Sequence, residues 1–261
     1  MIGALWTAAS GLQTQRIAVD GISNNVANVN TDGFKKNKTQ FQDLFYQHAN
    51  ALGEFEPDNS SRTGISIGTG AKIAGTGKVF SQGQLEWTGN LLDVAIDGEG
   101  FFRVLLPDGT AAYTRDGAFT ANASGRIVTP QGYRLEPSIT IPEGAKSLNI
   151  APNGEVSVVL AGSSTPSVIG TITLYRVGNP NGLLAIGENL FKPTDAAGGM
   201  VEVGAGGPGV GSLTQGFTEG SNVELADEMT QLVVAQRAYE FNARAFRTAD
   251  EMLSIATNIR G

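Results

Sequence analysis

The sequence predicts a mixed α and β protein in which N- and C-terminal helices form a coiled-coil-like pair flanking a mainly antiparallel β domain. Three observations carry that prediction. Apolar residues recur at steps of three and four near both ends of the chain. Between those ends, strand-length apolar runs alternate with turn dipeptides, the pattern of hairpins rather than of βαβ units. With 261 residues, 41% of them apolar, there is enough material for one or two sizeable cores.

The first helix is carried by Leu5, Ala8, Leu12, Gln15, Val19, Ile22, Val26 and Val29, a heptad seam with one polar member. It should end near Asn30, where "NTDG" supplies turn formers and Gly33 is suited to a left-handed conformation. At ~1.5 Å per residue it spans about 40 Å. Gly3, Gly11 and Gly21 lie inside it and each weakens it, by roughly 0.5–1 kcal/mol relative to Ala. A helix of this kind is marginal alone and requires a partner.

The β zone reads as "LLDVAI" then Asp97-Gly98, "FFRVLL" then Pro107-Asp108-Gly109, and "AAYT" then Asp116-Gly117. It continues with "SLNIA" then Asn153-Gly154, "EVSVVL" and "SVIGTITLYRV", while "GGMVEVGAGGPGVG" reads as a loop. Phe101, Phe102, Tyr113 and Phe119 are expected in its core. The last helix is carried by Leu225, Met229, Leu232, Gln236, Tyr239, Ala243, Phe246, Asp250 and Leu253, with a second apolar row at Ala245, Ala249, Met252, Ala256 and Ile259. That stripe is broader than a two-helix seam needs, which implies contact with more than one neighbour. Ser221 or Asn222 is the expected N-cap, acidic residues fill the first turns, and Arg260 favours the carboxyl end.

Chemistry is sparse. Net charge is −7 and no basic run exceeds Lys35-Lys36, which argues against nucleic acid or anionic lipid as a partner. Cysteine is absent, so disulfides and thiolate metal sites are excluded. No apolar run reaches 18 residues, and "MIGALWTAASGLQTQR" turns amphipathic at once, unlike a cleaved secretory signal. His48 is the one histidine, with no metal-spaced partner, so a catalytic triad would rest on it alone. Gly204, Gly206 and Gly209 match GxGxxG, but Pro208 interrupts the match and no helix pattern follows. Gly77-Lys78 is not a phosphate loop, and Asp93, Asp97 and Glu99 lack calcium-loop spacing. Three glycosylation triplets, at Asn37, Asn59 and Asn122, are of the kind that arises by chance. No catalytic, cofactor-binding or metal-binding residue is expected.

The remaining signal is the missing charge of the first helix. Arg16 and Asp20 are its charged side chains, and asparagines stand where a soluble helix carries Lys and Glu. A helical hairpin on a soluble monomer needs a charged outer face, whereas Asn, Gln, Ser and Thr can be buried once neighbours bond them. The expectation is therefore assembly between copies. Leu5, Leu12, Val19, Ile22, Asn24, Asn25, Val26, Asn28 and Val29 would form its interface with Leu225, Met229, Leu232, Gln236, Tyr239, Phe246 and Leu253. The chain divides accordingly: 1–32 with 222–261 as a helical polymerisation domain, 33–70 as an extended connecting stretch, and 71–221 as a β-rich domain. A secreted β-rich adhesin or sugar-binding domain with helical ends is the alternative of another class.

"SNNVANVNTDGFKK" resembles the N-terminal signature of the bacterial flagellar axial proteins, the family of rod, hook and hook-associated subunits. "SQGQLEWTGNLLDVAIDGEGFFRV" and "YTRDGAFT" resemble the β segments of its rod and hook branch, and "QGFTEGSNVELADEMTQLVVAQRAYEFNARAFRTADEMLSIATNIRG" resembles its C-terminal signature. Length and a single β domain resemble the distal-rod branch, with the proximal-rod paralog of similar size and the longer hook subunit as rivals. "FQDLFYQHANALGEFEPDNSSRTGISIGTG", Phe41 to Gly70, occupies the place of the stretch that distinguishes the distal form, but its "HANALGEFEPDNSSRT" is acidic where the family is Gln- and Ser-rich. The resemblance implies a homo-polymer forming a rigid tube that transmits torque. It implies proximal rod subunits below, the hook subunit above, and the periplasmic and outer-membrane flagellar rings around. It also implies export, uncleaved, through the flagellar type III apparatus.

Overall fold

Two long helices bracket a set of short strands in a computed structural model, which describes residues 2–48, 66–162 and 165–258, without the side chains of Ile2 and His48. The prospects raised for His48, Asn59, Ile259 and Arg260 lie outside the described side chains and residues. The chain forms two compact units, and each is built from segments distant in sequence.

One unit comprises 1–27, 37–77 and 224–261. Its helices, α1 (Ile2–Ala27) and α2 (Leu225–Asn258), pack along each other. Strand Asn37–Asp43 pairs with Ala71–Lys78, and Tyr46–His48 pairs antiparallel with Ser66–Gly68. α1 stops at Ala27 and a turn follows. Gly33 has φ +68, as the turn chemistry predicted, and a side chain there would meet the Asp116 backbone at 2.6 Å. α2 opens three residues later than its expected cap. Asn222 is not a cap. It accepts the Lys36 N–H at 2.8 Å and donates to the carbonyls of Val79 and Ser81, tying three strands of chain together.

The other unit comprises 28–36 and 78–223 and holds the main core. A seven-stranded sheet runs in the order Leu183–Gly187, Leu190–Pro193, Ala111–Thr114, Phe102–Leu105, Arg134–Glu136, Ile127–Val128 and Thr120–Ala121. A three-stranded sheet is made of Ala145–Ile150, Glu155–Leu160 and Ser167–Thr171. Two-residue alternation places Val156 and Val158 inward from one strand and Phe102 and Val104 from another. Val156, Val158 and Phe102 join Phe119, Leu135, Ile172, Leu174 and Leu213; Phe101 and Tyr113 form a second cluster with Tyr175 and Phe191, and Val104 a third with Ala112 and Leu190. All four predicted core aromatics are buried.

Two of the predicted hairpins form: Pro107-Asp108-Gly109 joins Phe102–Leu105 to Ala111–Thr114, and Asn153-Gly154 joins Ala145–Ile150 to Glu155–Leu160. Asp97-Gly98 does not close one. The strand before it, Val94–Asp97, pairs instead with Ser212–Gln215 from late in the chain. "SVIGTITLYRV" splits at Ile172, and its second half, Thr173–Val177, pairs with Met200–Gly204. The glycine-rich run therefore contributes a strand, because backbone pairing depends on a partner more than on side-chain propensity.

Candidate assembly surface

Small side chains line the contact between the two helices. Ala8, Thr14, Ala18, Ile22 and Asn25 of α1 are buried, as are Glu228, Ala235 and Ala249 of α2. Gly11 lets the helices approach: a Cβ there would stand 2.8 Å from the Asn242 side chain. Thr14 is accommodated because its hydroxyl donates back to the Ser10 and Gly11 carbonyls.

At one end of α1, Asn25 is 2% exposed and fully engaged. Its Nδ2 donates to Glu228 Oε2 at 3.1 Å and to the Asn37 carbonyl at 2.9 Å, while its Oδ1 accepts the Asn37 N–H at 2.8 Å. One asparagine thus joins α1, α2 and the strand beginning at Asn37. Asn24 is exposed and accepts from Asn37 Nδ2 at 3.2 Å; Asn28 is half-buried and accepts the Thr31 hydroxyl.

The residues expected at the interface lie beside this seam more than in it. Ile22 and Asn25 are buried; Leu5, Leu12, Val19, Val26, Val29, Leu232 and Leu253 are half-buried. Leu225, Met229, Gln236, Tyr239 and Phe246 are exposed. At 100° per residue, α2 presents Leu225, Met229 and Val233 on one flank of its buried line and Val234, Phe241 and Met252 on the other. Val234 is 63% and Phe241 66% exposed, and Trp6 of α1 is 72% exposed. A helix apolar on its packed face and on both flanks has surface left to cover.

The β unit holds a cluster of charge that sequence reasoning missed. Glu219, 0% exposed, accepts from Lys35 Nζ at 2.6 Å and from Arg115 Nη2 at 2.7 Å. Lys35 also donates to the Ser81 carbonyl, and Arg115 Nη1 donates to the carbonyls of Gly98 and Gly100. Burial pulls the Lys35 ammonium below its ordinary range, and Glu219 opposes that pull. Each member comes from a different quoted signature: "GFKK", "YTRDG" and "QGFTEG".

Nearby, Asp93 accepts from the Thr88 hydroxyl at 2.6 Å and from Asn90 Nδ2 at 2.9 Å, which gives it a structural role. Burial pushes the Asp116 carboxyl up to about 6; the Ala118 N–H opposes this, and Asp32 and Asp93 add to it. Among the described residues no group of three His, Cys, Asp or Glu side chains is placed to hold a metal ion. No described helix is long and apolar enough to cross a membrane.

Comparison with known proteins decides the family. Residues 5–35 match the model described as flagella basal body rod protein, 95–158 the flagellar hook protein FlgE/F/G D1 domain, and 214–259 the flagellar basal body rod FlgEFG protein C-terminal. The chain is 48% identical to the flagellar basal-body rod protein FlgG of Borreliella burgdorferi, across 100% of this chain and 99% of that one. It belongs to the FlgG family of flagellar basal-body rod proteins. The corresponding proteins of Caulobacter vibrioides and Bacillus subtilis are 44% and 37% identical, each over at least 98% of both chains. It is a structural subunit of the flagellar basal body, and the three matched regions carry α1, the β core and α2.

Proposed function

We propose that this rod subunit polymerises with copies of itself, α1 and α2 forming a coiled-coil-like pair that lines a rigid distal-rod tube. The observation that carries this reading is the pair of exposed apolar flanks on α2, on either side of the line it packs on α1. One flank covered by one neighbour leaves the other for a second, so the contact is heterologous and propagates instead of closing. Proximal rod subunits, the hook subunit and the surrounding periplasmic and outer-membrane rings are the partners such a tube implies, with type III export as its route. The role is mechanical, transmission of torque, and no reaction is assigned to it.

The test is electron microscopy of the concentrated protein, which should show straight tubes. Leu232→Asp and Val26→Asp each place a charge at a half-buried position beside the helical seam, which assembly would desolvate at several kcal/mol, and should abolish tubes while leaving the melting of the β unit unchanged. Tubes that persist in both variants would remove the helices from the assembly.

A further inference from the structure

Trp87 is 69% exposed, yet it is held in place. Its ring meets Phe217 edge to face at 5.1 Å, and a Cβ on Gly216 would stand 2.7 Å from it, so that glycine, at φ +79, makes the floor under the indole. Gly216 is itself fixed, since its carbonyl accepts the N–H groups of Thr88 and Gly89. Most of the indole is nevertheless open to solvent: a bulky apolar side chain is presented on a rigid support, the signature of an interface anchor.

The same unit contains a matching recess. A groove of about 320 Å³ has Phe80, Phe101, Val177 and Pro180 among its walls, with Glu99 and Arg176 also lining it. It is large enough for one indole. Arg176 is exposed and extends against Gly209, where a Cβ would stand 2.6 Å from its Nη1. Its guanidinium is available to lie on an aromatic face.

Placement relates the two features. Val94–Asp97 pairs with Ser212–Gln215, with Val94 opposite Gln215 and Asp97 opposite Ser212. Gly216 and Trp87 stand at the Val94 end of this ribbon, and Gly98 and Glu99 stand at the Asp97 end. Knob and recess therefore sit at opposite ends of one two-stranded ribbon and cannot meet within a copy.

We propose that Trp87 of one copy seats in the Phe80–Phe101–Val177 groove of the next, capped by Arg176, giving a head-to-tail contact between β units. A protruding group and a recess at opposite ends of one body make a contact that repeats without closing. The inference rests on the reading of the chain as a self-assembling subunit, and it adds a second point of grip, contributed by the β unit.

The experiment is a double-mutant cycle on the full chain, scored by the concentration at which polymer sediments. Trp87→Ala should raise that concentration about 30-fold, as for an interface anchor, and Arg176→Ala about threefold. Once Trp87 is gone, Arg176→Ala should add nothing, because the two groups act on each other only between copies. Melting of each unassembled variant separates loss of contact from loss of fold. If Trp87→Ala lowers that melting, a Trp6→Phe chain serves instead: Trp87 is then the single indole, and its emission should move to the blue on assembly. Additive effects, wild-type behaviour of Trp87→Ala, or an unchanged emission would each overturn the contact while polymer still forms. If the unaltered chain forms no polymer, the self-assembly reading fails first and the contact falls with it.

Discussion

Glu219 is 0% exposed, and among the described residues it is the only carboxylate paired with Lys35 and Arg115. Removing one partner of a buried ion pair costs about 3–5 kcal/mol, because it strands the remaining charge. Glu219→Gln should therefore destabilise the β unit by roughly that amount in denaturant unfolding. Lys35→Met should cost less, since the Arg115–Glu219 pair survives it; equal costs would show that Lys35 is as essential as the carboxylate. Asp116 makes the opposite prediction. Its pKa, about 6 against an ordinary 3.8, is raised by folding. The stability linked to its proton is thus complete below pH about 4 and is lost as pH rises through 6. Asp116→Asn keeps an oxygen for the Ala118 N–H and should stabilise the fold by about 1–3 kcal/mol at pH 7.5. The two proteins should converge near pH 4, and a difference independent of pH would remove the carboxylate from the explanation.

At the scale of elements, the helix pairing depends on absence of bulk. Gly11 opposes Asn242, and the buried line is made of Ala8, Thr14, Ala18, Ala235 and Ala249 with Asn25 and Glu228, leaving Ile22 as its one large aliphatic residue. Gly11→Leu should push α1 from α2 and lower helical protection in hydrogen exchange, although leucine has the higher helix propensity. Increased protection would mean that the gap is unimportant. The heptad count from Leu5 to Val29 found α1, and of its members Ala8 and Ile22 lie in the buried line while Leu5, Leu12, Val19, Val26 and Val29 are half-buried beside it. Periodicity identifies an apolar stripe; where the stripe is wide, close approach falls to its smallest members. In α1, Ala18 lies under the contact while Val19 stays half-buried beside it. Hairpins closed by short turns were legible for the same local reason. The Val94–Asp97 pairing with Ser212–Gln215 was not, because two strands more than a hundred residues apart leave no mark on each other's sequence.

For the whole molecule, the uncharged opening of the chain and its exposed apolar helices describe one state, that of a component rather than a finished particle. Charge was the most legible signal of this: Arg16 and Asp20 are the charged residues of α1, and both line a shallow groove with Gln236, Tyr239 and Glu240 of α2. The buried Lys35–Glu219–Arg115 cluster was illegible, since charges in three motifs distant in sequence become a site only when the fold gathers them. Because the chain contains no cysteine, one introduced thiol reports on one position. The most direct measurement is the labelling rate of Val234→Cys before and after polymer forms. Coverage of the α2 flank by a neighbouring copy predicts a fall of at least about 100-fold, as expected when opening the contact costs some 3 kcal/mol. A thiol that reacts equally fast in tube and free subunit would contradict it.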